Sequence, residues 1–272
     1  MSRIQAIAER ADGAKKKLLI PYLVAGDPNT QTTLALMHEL VVCGADIIEL
    51  GFPFSDPSSD GPVIQRGAER ALSQGITLLN VLTLVRDFRQ QDQATAVVLM
   101  GYLNPIEILG YAVFVEAAAS AGVDGVLVVD LPTHEAVELK QLLTAQEIDM
   151  IFLVAPTTQD SRLGQIADAS SGYLYYVSLK GVTGAALTDY DSVAENITKL
   201  RTHTDLPIVV GFGIKDAASA QSMAALADGV IIGSALVEQI EKLSTKEVVK
   251  EADISQATAL IALARTAIDN IK

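Results

Sequence analysis

The chain has 272 residues, half of them hydrophobic and 19% charged, with a formal net charge of −13. So apolar a chain can fill a sizeable core and is not a disordered segment. Its acidity argues against sequence-independent binding to nucleic acid or to an anionic membrane surface, while a small phosphorylated ligand stays compatible because backbone N–H groups and helix ends can hold phosphate locally.

Taken in order, Ser2–Ala11 reads as a helix, and Met1–Arg10 lacks the apolar segment of a signal peptide. Strand Leu18–Val24 and helix Thr30–Val42 follow, then strand Asp46–Leu50 and a helical stretch Pro62–Arg89 broken at Gly75. Next come strand Ala96–Met100, helix Pro105–Ser120, strand Gly125–Val129, helix His134–Ala145 and strand Asp149–Val154. Helix Asp160–Ala169, strand Tyr173–Val177, helix Ser192–Thr202 and strand Pro207–Val210 continue the alternation. Helix Ala217–Ala225, strand Val230–Ile232, helix Ala235–Gln239 and helix Ile254–Asp269 complete it.

Most strands are near-continuous β-branched or aliphatic runs, the pattern of parallel strands buried on both faces. Pro62, Pro105 and Pro132 stand where helices would start, a position that tolerates proline. Eight β-then-α units predict a closed (β/α)8 TIM barrel spanning 1–272 as a single domain, with extra N-terminal and C-terminal helices. The N-terminal helix is expected to cover the barrel floor. A doubly wound open sheet is the alternative, but no G-x-G-x-x-G follows the first strand and no Walker A pattern occurs. No apolar run approaches a membrane span, and a lone Cys43 fits a reducing compartment, so a cytoplasmic protein is expected. Cys43 closes an apolar helical pattern and reads as a small buried hydrophobe.

In such barrels the chemistry lies at the C-terminal ends of the strands. Glu49 stands near the end of the second strand, and Asp60 lies on the Gly-, Pro- and Ser-rich loop that leaves it. A carboxylate in a buried strand is costly unless paired or used. Two carboxyls in different environments can divide acid and base roles. The competing structural reading makes Glu49 an edge-strand or salt-bridged residue and Asp60 a helix cap before Pro62. Three further loops share that face. Ser178-Leu-Lys-Gly-Val-Thr-Gly184 has the look of a lid, and Gly211-Phe-Gly213 and Gly233-Ser234 sit where barrels commonly bind phosphate.

Other chemistries lack support. His38, His134 and His203 show no metal-ligand spacing, so no metal is expected, and no G-x-S-x-G elbow occurs. Lys180 could form a Schiff base in principle, but it lies on a loop rather than a strand. Tyr175 could face the pocket or simply pack.

Glu49 with Leu50-Gly-Phe-Pro-Phe-Ser-Asp-Pro57, Asp60-Gly-Pro62, Gly181-Val-Thr-Gly184, Gly211-Phe-Gly213 and Gly233-Ser234 together resemble the α subunit of tryptophan synthase over essentially the whole length. The resemblance implies a carbon–carbon lyase that splits indole-3-glycerol phosphate into indole and glyceraldehyde 3-phosphate. It implies Glu49 as general acid/base and Asp60 as acceptor for the indole N–H. Phosphate would rest around Gly184, Gly213, Gly233 and Ser234, with Tyr22, Tyr175 and Phe212 as walls and Lys180, Gly181 and Thr183 on the lid. It implies no cofactor on this chain, and a β subunit carrying pyridoxal phosphate as partner in an α2β2 assembly, contacted through Pro53, Asp56 and Pro57. Two departures from the family pattern stand out: Ser58-Ser59 where Leu-Ala is common, and Leu179 where many members carry arginine. Lys180 beside it cannot supply a bidentate guanidinium contact. A free-standing indole-releasing lyase and a non-catalytic activator of the partner are the alternative functions.

Overall fold

Strands that are apolar on both faces must be covered on both, and a sheet closed on itself with helices outside meets that need. The computed structural model describes residues 2–178, 190–211 and 213–271. Its strands are β1 (Leu18–Val24), β2 (Ile47–Gly51), β3 (Ala96–Gly101), β4 (Gly125–Val128), β5 (Asp149–Ile151), β6 (Leu153–Val154), β7 (Leu174–Val177), β8 (Ile208–Gly211) and β9 (Gly229–Ile232). They run parallel in the order β5-β4-β3-β2-β1-β9-β8-β7-β6. The two ends of that order, β5 and β6, are separated only by Phe152, so the sheet closes through a single stretch of chain. This is a TIM barrel. The predicted strand Asp149–Val154 is divided at Phe152: its first half pairs with β4 and its second with β7. Staggered, tilted barrel strands produce such a change of partner.

The helices are α1 (Arg3–Gly13), α2 (Thr30–Val42), α3 (Pro62–Ser73), α4 (Leu78–Arg89), α5 (Leu103–Leu109), α6 (Tyr111–Ala121), α7 (Val137–Ala145), α8 (Asp160–Ala169), α9 (Tyr190–Leu200), α10 (Ala217–Ala224), α11 (Ser234–Glu241) and α12 (Glu251–Asp269). The expected break at Gly75 is present, with φ +73 there. An unexpected one divides Pro105–Ser120 at Gly110, whose φ of +85 suits glycine and no helix. The helix expected from His134 starts instead at Val137, after a turn over 132–136.

Side chains alternate between two layers. Leu18, Ile20, Ile47, Val98, Leu127, Ile151, Tyr173, Tyr175, Val209 and Ile231 fill the barrel interior. The intervening residues pack outward against the helices. Ile4 and Ile7 of α1 join the interior cluster, so α1 plugs the floor as expected. It is pinned there by Ser2, which caps the helix through Gln5 N–H (3.1 Å) and donates to Asp149 (2.6 Å). A second tie is the ion pair of Arg3 with Asp124, which also binds Arg89 at 2.6 Å. With the floor sealed, the open end is the C-terminal mouth. No described helix is long and apolar enough to cross a membrane.

Candidate active site

β2 alternates inward Ile47, outward Ile48, inward Glu49 and outward Leu50, so the pleat alone aims the Glu49 carboxylate into the barrel. Glu49 is fully buried, and its register partner on β1 is Tyr22. The Tyr173 hydroxyl donates to Glu49 Oε1 at 2.5 Å. Oε2 is buried with no hydrogen-bond partner among the described residues. Burial pushes the Glu49 carboxyl up from 4.5 to about 7, and the Tyr173 hydrogen bond opposes that rise. Near neutral pH it is therefore divided between acid and base forms, the condition for moving a proton in either direction.

Past Gly51 the chain stays tied to β3 for one more residue: Phe52 N–H donates to Met100 O at 3.0 Å. It then turns through Ser58 and Asp60, whose amides donate to Asp56 O (2.8 Å) and Pro57 O (3.1 Å). Pro62 occupies the first turn of α3, and the cap is Gly61, which makes no side-chain capping bond. The helix-cap reading of Asp60 is thereby overturned. Its carboxylate accepts instead from the Tyr102 hydroxyl at 3.0 Å. That same hydroxyl accepts from Ser59 N–H at 3.0 Å, and its ring packs on Phe54 with centroids 5.3 Å apart. Burial raises the Asp60 carboxyl to about 6, with Tyr102 pulling it back down.

Tyr22 and Tyr175 share this space. Burial raises both phenols, and the charges of Glu49 and Asp60 add to the rise for each. Two strand-ending glycines make the room: a Cβ on Gly51 would overlap the Tyr22 hydroxyl, and one on Gly211 that of Tyr175. Gly233 borders Tyr22 from the far side, where a Cβ would lie 3.6 Å from the ring. Ser234 begins α11, so its amide and that of Ala235 have no intrahelical acceptor, and its Oγ is buried without a partner among the described residues. Gly213 takes φ +77 in the neighbouring loop. Glu49, Asp60, Tyr22, Tyr175, Gly213, Gly233 and Ser234 thus gather at one mouth. Lys180, Gly181, Thr183, Gly184 and Phe212 lie outside the described residues.

Two residues of the site escaped the sequence reading. Tyr173 stands two positions before Tyr175, and period-two alternation could have placed both inside. Tyr102 directly follows β3 at the mouth, a position with the same meaning as that of Glu49. On the loop, Asp56 is exposed, Pro57 half-buried and Pro53 buried. Pro53 lines the cavity with Phe52, Asp60 and Tyr102 rather than facing solvent.

The remaining candidates have other duties. His38 stacks on Phe88 at 4.9 Å, while His134 and His203 are exposed. Cys43 is half-buried with Sγ 3.8 Å from Thr258 O. Among the described residues no group of His, Cys, Asp and Glu is arranged to hold a metal ion. A larger cavity of about 830 Å³ opens at the opposite end, between α1 and the N-terminal ends of the strands, away from both carboxylates described above.

A family model described as tryptophan synthase alpha chain matches residues 8–265. The tryptophan synthase alpha chain of Thioalkalivibrio sulfidiphilus is 58% identical over 240 residues, covering 88% of this chain and 90% of its own. That of Dechloromonas aromatica is 51% identical over 272 residues and covers 100% of both chains. Among solved structures, tryptophan synthase subunit alpha from Legionella pneumophila superposes with a TM-score of 0.91 at 42% identity, covering 100% of each chain. A chain of Mycobacterium tuberculosis tryptophan synthase gives 0.88 at 33% identity, covering 98% of each. This chain belongs to the tryptophan synthase alpha chain family.

Proposed function

We propose that in this chain, a carbon–carbon lyase of the α reaction, Glu49 carries the proton and Asp60 steadies the positive charge that the proton creates. The reaction is the retro-aldol cleavage of indole-3-glycerol phosphate to indole and glyceraldehyde 3-phosphate. The observation that carries this reading is a fully buried glutamate, raised to about 7, with one oxygen unpartnered in the mouth beside Asp60. Protonated Glu49 gives its proton to indole C3, leaving a cationic indolenine whose N–H faces an ionised Asp60. The bond from C3 to the glycerol carbon then breaks, and its electrons restore the indole ring. The adjacent hydroxyl loses its proton to the Glu49 carboxylate and becomes the aldehyde, so Glu49 ends as it began. Asp60 suits its part because Tyr102 and the wetter loop keep it the stronger acid of the two.

Substrate would be held by Tyr22 and Tyr175 along the indole and glycerol chain. Its phosphate would meet the free first-turn amides of α11 at Ser234 and Ala235, with Gly233 and Gly213 allowing close approach. The roles given to Gly184, Phe212, Lys180, Gly181 and Thr183 rest on the resemblance alone. The loop 53–60 carries exposed Asp56 a few residues from Asp60, which supports it as the contact for a β subunit. Partner and catalytic residue on one segment give a physical route for coupling, since a contact that orders the loop orders Asp60. Buried Pro53 serves that loop by packing, while exposed Asp56 and half-buried Pro57 supply the contact. In this reading pyridoxal phosphate belongs to the partner.

The test is indole release from indole-3-glycerol phosphate, measured with and without a β subunit. Glu49→Gln is expected to lose about 10²–10⁴ in kcat while still binding substrate. Asp60→Asn should also lose most turnover, and saturating partner should accelerate the parent chain. Turnover near that of the parent in Glu49→Gln contradicts the assignment, and a rate indifferent to partner contradicts the coupling.

A further inference from the structure

We infer that Tyr173 is a positioning residue for the lyase reaction: by holding Glu49 Oε1 it leaves Oε2 as the single oxygen through which the proton leaves and returns. The inference rests on the assignment of Glu49 as acid/base given above.

The geometry is specific. Tyr173 is fully buried at the entrance to β7, two residues nearer the floor than Tyr175, and its hydroxyl is Glu49's one hydrogen-bond partner among the described residues. A phenol has one proton to donate, so it satisfies one carboxylate oxygen and cannot satisfy both. Oε2 is left buried without a partner. An unpaired buried carboxylate oxygen is costly in a folded protein, and here it is the atom that must meet substrate. A glutamate free to turn about its last torsion would offer either oxygen in many orientations, because that torsion is broad. The hydrogen bond removes that freedom before substrate arrives, so the proton is delivered from a fixed point. The other groups facing Glu49 are the phenols of Tyr22 on β1 and Tyr175 on β7, with Asp60 beyond them on the loop. None of these is a cation, and among the described residues Tyr173 alone donates a hydrogen bond to Glu49, so it is the group that stabilises the ionised form.

Tyr173→Phe keeps the ring and deletes the hydroxyl. It should lower kcat about tenfold while KM stays within about twofold. Glu49 should stay protonated to higher pH, so the alkaline limb of the rate profile should move up by about one pH unit. Tyr176→Phe is the control, because Tyr176 is a buried phenol on the outward face of the same strand. It should leave the limb where it is. In the Glu49→Gln background, adding Tyr173→Phe should change the residual rate less than twofold, since a residue acting through Glu49 has nothing left to act on. An unshifted limb with undiminished kcat in Tyr173→Phe overturns the inference, as does a tenfold further loss in the double variant. If Glu49→Gln alone turns over normally, the failure lies in the acid/base assignment. Should Tyr173→Phe fold poorly, an infrared titration of the parent and Glu49→Gln proteins would still decide. The Glu49 carboxyl must titrate with the tyrosine band perturbed in step, and an unperturbed tyrosine overturns the inference.

Discussion

At the scale of single residues, the site works by taking one carboxyl out of water and giving it an incomplete replacement. Glu49 has lost all solvent and gained one hydrogen bond, and its pKa of about 7 records the imbalance. The same imbalance bears on stability. The folded-state value lies above the ordinary 4.5, so folding favours the protonated form. Below about pH 4.5 both states are protonated and nothing is lost. As pH rises to 7 the folded state forfeits roughly 3 kcal/mol, an order-of-magnitude figure for a raised carboxyl. Glu49→Gln carries no charge at any pH, so it should be more stable than the parent protein by about that amount at pH 8 and nearly equal at pH 4. Urea denaturation at the two pH values checks this; an equal difference at both would contradict it. Glu49 and Asp60 were legible in the sequence because an acid inside an apolar strand, followed by an acid on its exit loop, is a local anomaly. Tyr173 and Tyr102 were not, because their partners lie 124 and 42 residues away and only the closed sheet brings them together.

Among elements, the mouth is held in register by an ion-pair cluster with a buried centre and an exposed rim. Asp27, on the loop leaving β1, is fully buried and receives Arg70 of α3 through two bonds of 2.8 Å. Arg70 and Arg66 both reach Glu241 at the end of α11. The cluster thus joins the strand that carries Tyr22, the helix that follows Asp60 and the helix that begins at Ser234. Removing the cation strands a buried carboxylate, so Arg70→Met should cost about 3 kcal/mol. Adding Asp27→Asn should recover much of that loss, and denaturation midpoints of the three variants test it. If Arg70→Met is as stable as the parent chain, the cluster is not holding these elements. None of this network could be read from local pattern, which reports burial and period but not ion-pair partners. What pattern did report, the strands and most helices, came from continuous aliphatic runs and from Gly75 and Pro62. It missed the break at Gly110 and the division at Phe152, because the first needs a backbone angle and the second a change of pairing partner.

For the molecule as a whole, closure of the sheet turns these local facts into a catalyst. Eight strand segments of the sequence become a barrel only because β5 and β6 take opposite neighbours. α1 then seals one end, leaving a single mouth where a buried acid can meet a substrate out of water. The count of strands was enough to predict the barrel and the end at which the two acids meet. The proton state of the two acids required the folded surroundings. That state is the centre of the account, and the dependence of kcat/KM for indole release on pH tests it most directly. The proposed mechanism needs Glu49 protonated and Asp60 ionised, so the rate should fall on the acid side near pH 6 and on the alkaline side near pH 7. A substrate phosphate also titrates at about 6, which leaves the alkaline limb as the decisive one. A limb near 7 that disappears from the residual rate of Glu49→Gln is the result predicted; a rate undiminished to pH 9 would contradict the account.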